Sequence, residues 1–251
     1  MTELSVGQFT IVANFFSFTI AALGATTLFL WLNRSSVAPP YRMAVTISGL
    51  VTFIALYHYW KISASWQEAY IIVDGVVQAT DNAFNDAYRY VDWVLTVPLL
   101  LVELILVMRL TASETVSKSI RLSILAVIMI LLGYPGEIAD AAGTRWLWWS
   151  LAMIPFLWIV FELFVGLKKS SDKQPAAARG LITGATYLLI GSWLFYPIVF
   201  VFPMIGLDGP TAETFLQVGY TISDVVSKAV FGVLIFAIAV KKSKADEATA
   251  A

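Results

Sequence analysis

Seven separate stretches of this 251-residue chain are apolar for long enough to cross a hydrocarbon layer, and few folds satisfy that requirement. A spanning helix needs about 20 mostly apolar residues, because nothing inside the layer can satisfy a backbone left out of regular hydrogen bonding. The stretches run near residues 8–33, 42–62, 84–109, 117–138, 145–167, 177–204 and 212–240. Together they use up most of the chain. A single all-α, seven-transmembrane-helix bundle over residues 1–251 is therefore expected, with no soluble domain beside it. Composition agrees, with 59% hydrophobic and only 13% charged residues, where soluble proteins average about 25% charged. The chain has no cysteine, which excludes disulfide frameworks, thiolate metal sites and cysteine nucleophiles. Its single histidine argues against a zinc site, and a net charge of −1 gives no reason to expect nucleic acid as a partner.

Basic residues orient the bundle, because cytoplasmic loops collect positive charge. Arg34 and Arg42 flank the first connection, and Arg109, Lys118 and Arg121 the third. Lys168, Lys169, Lys173 and Arg179 mark the fifth, and Lys241, Lys242 and Lys244 follow the last span. The opposite side holds Lys61 and Arg145 against Glu3, Glu68, Asp74, Asp81, Asp140, Asp208 and Glu213. This places the N-terminus outside and the C-terminus in the cytoplasm. The first span has no basic leader and is not expected to be a removed signal peptide. Between the second and third spans, two short β-prone runs meet at Asp74-Gly75, which predicts a small extracellular β-hairpin.

Charged residues inside the spans cost on the order of 2.5–3.5 kcal/mol each to insert, so they mark function by default. Arg89, Asp92, Glu103, Asp224 and Lys228 are of this kind. Asp224 and Lys228 are four residues apart and share a helix face. A buried lysine is the usual amine for a Schiff base with a carbonyl compound. Arg89, Asp92, Thr96 and Glu103 line up on the third span, where the eleven residues from Asp92 to Glu103 rise about 16 Å. Two carboxyl groups stacked along one face, with a titratable amine nearby, are the parts of a proton relay. Trp93, Trp149, Trp193, Tyr196, Pro197 and Tyr220 are candidates for a flat apolar cavity at the depth of Lys228, and Pro197 favours a kink in the sixth helix.

The string Arg89-Tyr90-Val91-Asp92-Trp93-Val94-Leu95-Thr96-Val97-Pro98-Leu99-Leu100 closely resembles the third helix of microbial rhodopsins, specifically proteorhodopsin-like pumps. Asp224-Val225-Val226-Ser227-Lys228 is similar to their retinal-lysine signature, and Trp193-Leu194-Phe195-Tyr196-Pro197 to their sixth-helix pocket. Gly133-Tyr134-Pro135-Gly136-Glu137 resembles a fourth-helix pattern of the same group. The resemblance spans roughly residues 8–242.

It implies all-trans retinal bound covalently to Lys228 as a protonated Schiff base, with Asp92 as primary counterion and proton acceptor. Asp224 would be the second counterion, Arg89 a positive partner on the extracellular side, and Glu103 the cytoplasmic proton donor. His58 matches a histidine that hydrogen-bonds the acceptor aspartate in the family and tunes its proton affinity. The triplet Asp92-Thr96-Glu103 resembles that of outward proton pumps, and Leu100 that of green-absorbing forms. Trp149 stands where some relatives have a glycine that opens a slot for an antenna carotenoid, so no such second chromophore is expected. Ser227 replaces the asparagine of typical proteorhodopsins and is expected to affect colour or kinetics. Glu162 is either a carboxylate reaching for the surface, the plainer reading, or part of proton entry. For proton release, Glu137, Asp140, Asp208 and Glu213 all stay open. The resemblance implies a transporter rather than an enzyme, in the inner cell membrane and in contact with lipid, with protons as cargo and a homo-oligomeric state. The alternatives are a photosensor of the same fold acting through a membrane partner, and a retinal-free bundle in which Lys228 and Asp224 are a structural ion pair.

Overall fold

The computed structural model describes residues 4–166, 170 and 174–250. Seven helices long and apolar enough to cross a membrane are present among them. They are α1 (Val6–Asn33), α2 (Arg42–Ala69), α3 (Ala87–Met108), α4 (Ala112–Glu137), α5 (Ala142–Phe161), α6 (Ala176–Phe200) and α7, which starts at Gly209–Asp224. α5 continues into a π-helical turn at Glu162–Gly166. α7 passes through a π-helical turn at Val225–Val230 and resumes as Phe231–Ala250. The expected bundle is thus present, with several boundaries displaced: α2 runs on to Ala69 instead of ending near 62, and α4 begins at Ala112 instead of 117. α6 stops at Phe200, and Phe202–Ile205 forms a separate 3₁₀ turn carrying Pro203 near its start. α7 runs well past residue 240, because Lys241, Lys242, Lys244, Ala245 and Glu247 are all good helix formers. Lys241, Lys242 and Lys244 therefore lie on the last helix instead of following it. Lys168, Lys169 and Lys173 of the fifth connection lie outside the described residues.

Local signals set several ends. Ser5 and Gln8 form a reciprocal capping box at the start of α1, as Thr111 and Glu114 do at α4. The hairpin forms where Asp-Gly predicts it, with β1 (Tyr70–Val73) antiparallel to β2 (Val76–Ala79) and Val73 paired with Val76. Asp74 and Gly75 both take positive φ (51° and 78°), as a two-residue type I′ turn requires. Val77 turns inward from the hairpin onto a core cluster containing Phe16, Tyr59 and Trp66, so the hairpin covers that end of the bundle.

Large apolar side chains such as Leu32, Leu131 and Ile154 face outward, as lipid-facing helices allow. α3 is the most enclosed of the seven helices and α4 the least. The helix with the densest run of intramembrane charges is therefore the one most protected from lipid. Close approach of α4 to its neighbours depends on Gly136, where a Cβ would fall 2.9 Å from the Trp148 Cβ and 3.0 Å from the Phe200 ring. Gly136→Ala is expected to destabilise the fold by about 1–3 kcal/mol through this overpacking, read as a lower unfolding midpoint in detergent. An unchanged midpoint would mean that α4 and α5 can separate freely.

Candidate functional site

α3 and α7 bring the intramembrane charges to one place. Arg89, Asp92, Thr96 and Glu103 of α3 and Asp224 and Lys228 of α7 are all at most 1% exposed. The π-helical turn at Val225–Val230 contains Lys228, and such bulges recur at functional sites because they re-aim side chains. The Lys228 amine forms an ion pair with Asp224 and lies 3.1 Å from Asp92 Oδ2. The Lys228 amine thus sits between two carboxylates, Asp92 and Asp224, in the bundle interior, and Arg89 is buried beside them with Asp86 at its other side.

The two aspartates are not equivalent. Asp224 accepts hydrogen bonds from Tyr59 Oη (2.7 Å) on one oxygen, and from Tyr196 Oη (2.7 Å) and Trp93 Nε1 (3.2 Å) on the other. Asp92 accepts none from a described residue. Its neighbours are the Lys228 amine and His58 Nδ1, which lies 3.8 Å from Oδ1. The His58 Nδ1 hydrogen bond goes instead to the Ile54 carbonyl oxygen at 2.9 Å. Thr96 Oγ1 donates back to the Asp92 main-chain oxygen (2.8 Å), so it braces the helix there and leaves the carboxylate alone.

Arg89 extends the network toward the hairpin end. It donates to Tyr59 Oη (3.2 Å) and to the Gln217 side-chain oxygen, and its Nε lies 3.6 Å from Asp86. Gln217 Nε2 in turn donates to Glu213 (2.9 Å) and Asp86 (3.3 Å). Tyr59, Asp86 and Gln217 are functional neighbours that the sequence reading missed. Tyr59 directly follows His58, and Gln217 lies seven residues before Asp224, two turns away on the same helix; only that spacing could have suggested it. Glu137 pairs with Arg145 (3.8 Å) and accepts from Tyr90 Oη (3.1 Å).

The Lys228 amine opens onto an apolar cavity walled by Trp93, Leu100, Trp149, Trp193, Tyr196, Pro197 and Tyr220. The six aromatic and proline candidates thus line one cavity, and Leu100, noted above for its likeness to green-absorbing forms, lines it with them. Trp93 meets Tyr196 and Tyr220 edge-on at 4.9 and 5.5 Å. An amine at the wall of an aromatic chamber, beside a carboxylate with unused acceptor sites, suits a long apolar aldehyde bound through nitrogen. Toward the other end, Glu103 is fully buried and accepts no hydrogen bond from a described residue. The Ser48 hydroxyl, its polar neighbour on α2, donates to the Ala44 carbonyl instead (3.2 Å). Glu162 is not part of this line: it pairs with Arg121 at 2.7 Å and accepts from Trp158. Ser227 is buried beside Lys228.

A seven-helix membrane bundle with this chamber and amine is the architecture of a microbial, type 1 rhodopsin. The chain belongs to the bacteriorhodopsin-like protein family, whose sequence signature matches residues 10–242. It is 29% identical over 242 residues to a green-light absorbing proteorhodopsin of the gamma-proteobacterium EBAC31A08, covering 96% of this chain and 90% of that protein. Among solved structures it is similar to xanthorhodopsin, described as a light-driven ion pump with dual chromophore (47% identity, TM-score 0.94, covering 98% of this chain and 99% of the other). A thermophilic rhodopsin superposes equally well, at 42% identity and TM-score 0.94 over 98% of this chain and 99% of its own. Retinal carried on a lysine is the chromophore of this family.

Removing one carboxylate from the balanced cluster should strand a buried cation. Asp224→Asn is expected to destabilise the retinal-free protein by about 3–5 kcal/mol, whereas Tyr59→Phe, which deletes one hydrogen bond, should cost about 1 kcal/mol. Unfolding midpoints in detergent test both, and equal effects would mean that the Asp224 charge does not balance a buried cation.

Proposed function

We propose that this protein is a light-driven outward proton pump of the inner cell membrane, with retinal bound covalently to Lys228. The observation that carries this reading is the unequal treatment of the two aspartates beside one buried amine. Retinal on Lys228 supplies light absorption and a change of shape that alters the position and proton affinity of the attached nitrogen. The chain's own residues do the rest. Asp224 has both oxygens engaged by Tyr59, Tyr196 and Trp93, and a carboxylate whose lone pairs are already taken is a poor proton acceptor. Asp92 has no described side-chain donor other than the Lys228 amine 3.1 Å from its Oδ2, so it is the carboxylate placed to take the proton. His58 adjusts Asp92 through their 3.8 Å electrostatic contact. Arg89 balances the anions and leads toward Gln217, Glu213 and Asp86 on the outer side.

Glu103 returns a proton from the cytoplasmic side, about 16 Å of helix rise from Asp92. Burial keeps it out of contact with bulk solvent until the bundle moves. Outward direction then follows from having the acceptor and the donor on opposite sides of one nitrogen. We further propose a single chromophore. Trp149 donates its Nε1 to the Pro197 carbonyl oxygen (2.9 Å) and stands edge-on to Trp146, which fixes the indole where a glycine would leave an opening. The site residues of a proton pump, Asp92, Thr96 and Glu103, are all in the bundle interior.

Illumination of an unbuffered suspension of cells expressing the protein with retinal tests the reading. Acidification that a protonophore abolishes is the expected result. Coloured cells with no pH change would overturn pumping in favour of a photosensor, and uncoloured protein would overturn the chromophore assignment. Asp92→Asn is expected to abolish acidification and red-shift the absorption, and unchanged transport would remove Asp92 from the acceptor role. Glu103→Gln should keep the colour and slow recovery of the dark state after a flash. A recovery at the native rate would remove Glu103 as donor.

A further inference from the structure

Lys242 is only 3% exposed and has no role in the proposal above. Its ammonium has three N–H donors, and each finds an acceptor: the carbonyl oxygens of Val107 (2.9 Å) and Met108 (3.0 Å) and the side-chain oxygen of Gln174 (2.5 Å). Val107 and Met108 are the last two residues of α3, where carbonyls lack partners within the helix and a cation is favoured. Gln174 closes the ring by donating its Nε2 to Met108 O at 3.0 Å. α3 then ends on Arg109 in the left-handed region (φ 51°), a conformation that most side chains avoid.

Neighbouring contacts draw the remaining connections to the same place. Ser243 Oγ accepts from the Ala38 amide (2.8 Å), tying the α1–α2 connection to α7. Asp246 accepts from Tyr41 Oη (2.8 Å) and from Arg109 (3.3 Å), so it is occupied away from the Lys242 amine. The Tyr41 ring lies under both Lys242 and Arg109. Val107 is one helical turn, about 6 Å, beyond Glu103 on the same helix. The knot therefore sits between Glu103 and the end of the bundle assigned to the cytoplasm.

We propose that Lys242 is a positioning residue for proton uptake: by capping the end of α3 and holding Gln174 across it, Lys242 keeps the entrance to Glu103 shut. This rests on the reading of Glu103 as the cytoplasmic donor. Release of the three hydrogen bonds opens the route by which bulk protons reach Glu103, and their strength limits how fast it refills. Lys242 acts through the backbone that carries Glu103 and touches neither the chromophore cavity nor the aspartates.

The test uses the full chain with retinal in lipid nanodiscs and compares Lys242→Met, which keeps the stem and removes every donor, with Lys242→Arg, which restores a cation. Flash-induced proton uptake is followed with a pH-indicator dye, and backbone hydrogen exchange is measured over residues 104–109. Lys242→Met should raise exchange at the end of α3 about 3- to 10-fold and speed uptake by Glu103 several-fold. It should leave the dark absorption maximum and the first transfer to Asp92 unchanged. Lys242→Arg should return both altered readouts toward wild type. Faster exchange with unchanged uptake would reduce Lys242 to a helix cap and overturn the proposal, as would no change in either. If Lys242→Met does not fold, Gln174→Ala carries the test: it must speed uptake, and native uptake would overturn the idea. Glu103→Gln serves as the control. If it leaves uptake and recovery at native rates, the donor reading itself fails, whereas a slow Glu103→Gln with an unaffected Lys242→Met sinks only the latch.

Discussion

One amine between two carboxylates, inside a bundle with lipid around it, sets the terms for most of this structure. An isolated charge in such a place would cost several kcal/mol. Lys228 therefore needs Asp92 and Asp224, and Arg89 needs Asp86, the N-cap of α3, together with Tyr59 and Gln217. Those partners come from α2, α3 and α7, so the charge cluster fixes how the three helices meet. α6 adds Tyr196 as a donor to Asp224 and Trp193 as a wall of the cavity. Electrostatic neutrality and the shape of the chamber are thus two results of one packing arrangement.

The fold was legible in the sequence because the bilayer imposes a length on each apolar segment and a sign on each loop. Asp74-Gly75 was legible for a local reason, since a two-residue turn with positive φ at both positions favours that pair. Helix ends were harder to read. Lys241 to Glu247 look like the polar tail of a span, yet helix propensity and the contacts of Lys242, Ser243 and Asp246 carry the helix onward. The π-helical turns at Glu162–Gly166 and Val225–Val230 leave no signature in an apolar pattern, because one extra residue per turn does not change hydropathy.

At the site, the charged residues stood out because charge in a span is expensive, and the aromatic walls followed from helical spacing. What could not be read was the distribution of hydrogen bonds. Tyr59 looks like any tyrosine on an apolar helix, yet it links Arg89 to Asp224. Gln217 is neutral and carries no signal in an apolar pattern, yet it joins Arg89 to Glu213 and Asp86. His58 was matched to a partner of Asp92, and it does face that residue at 3.8 Å, but its hydrogen bond goes to its own helix. Partners of this kind depend on side-chain directions across helices that are distant in the chain.

The two halves of the bundle differ in how far their buried polar side chains connect to one another. From Lys228 toward the hairpin, polar side chains follow one another without a break: Asp224, Tyr59, Arg89, Gln217, Glu213 and Asp86. Within that network the Arg89 guanidinium only donates, so in the proposed pump the carboxyl groups at its far end, Glu213 and Asp86, are the ones able to take a proton. From Lys228 toward the other end, the wall is apolar at Leu100, Leu101 and Leu104, and Glu103 stands alone with Ser48 nearby. In the proposed pump, a proton transfer across this apolar stretch requires water or a side chain to move in. Refilling the Lys228 nitrogen from Glu103 instead of from the outer network therefore has to wait for a movement in the half of the bundle that holds Glu103.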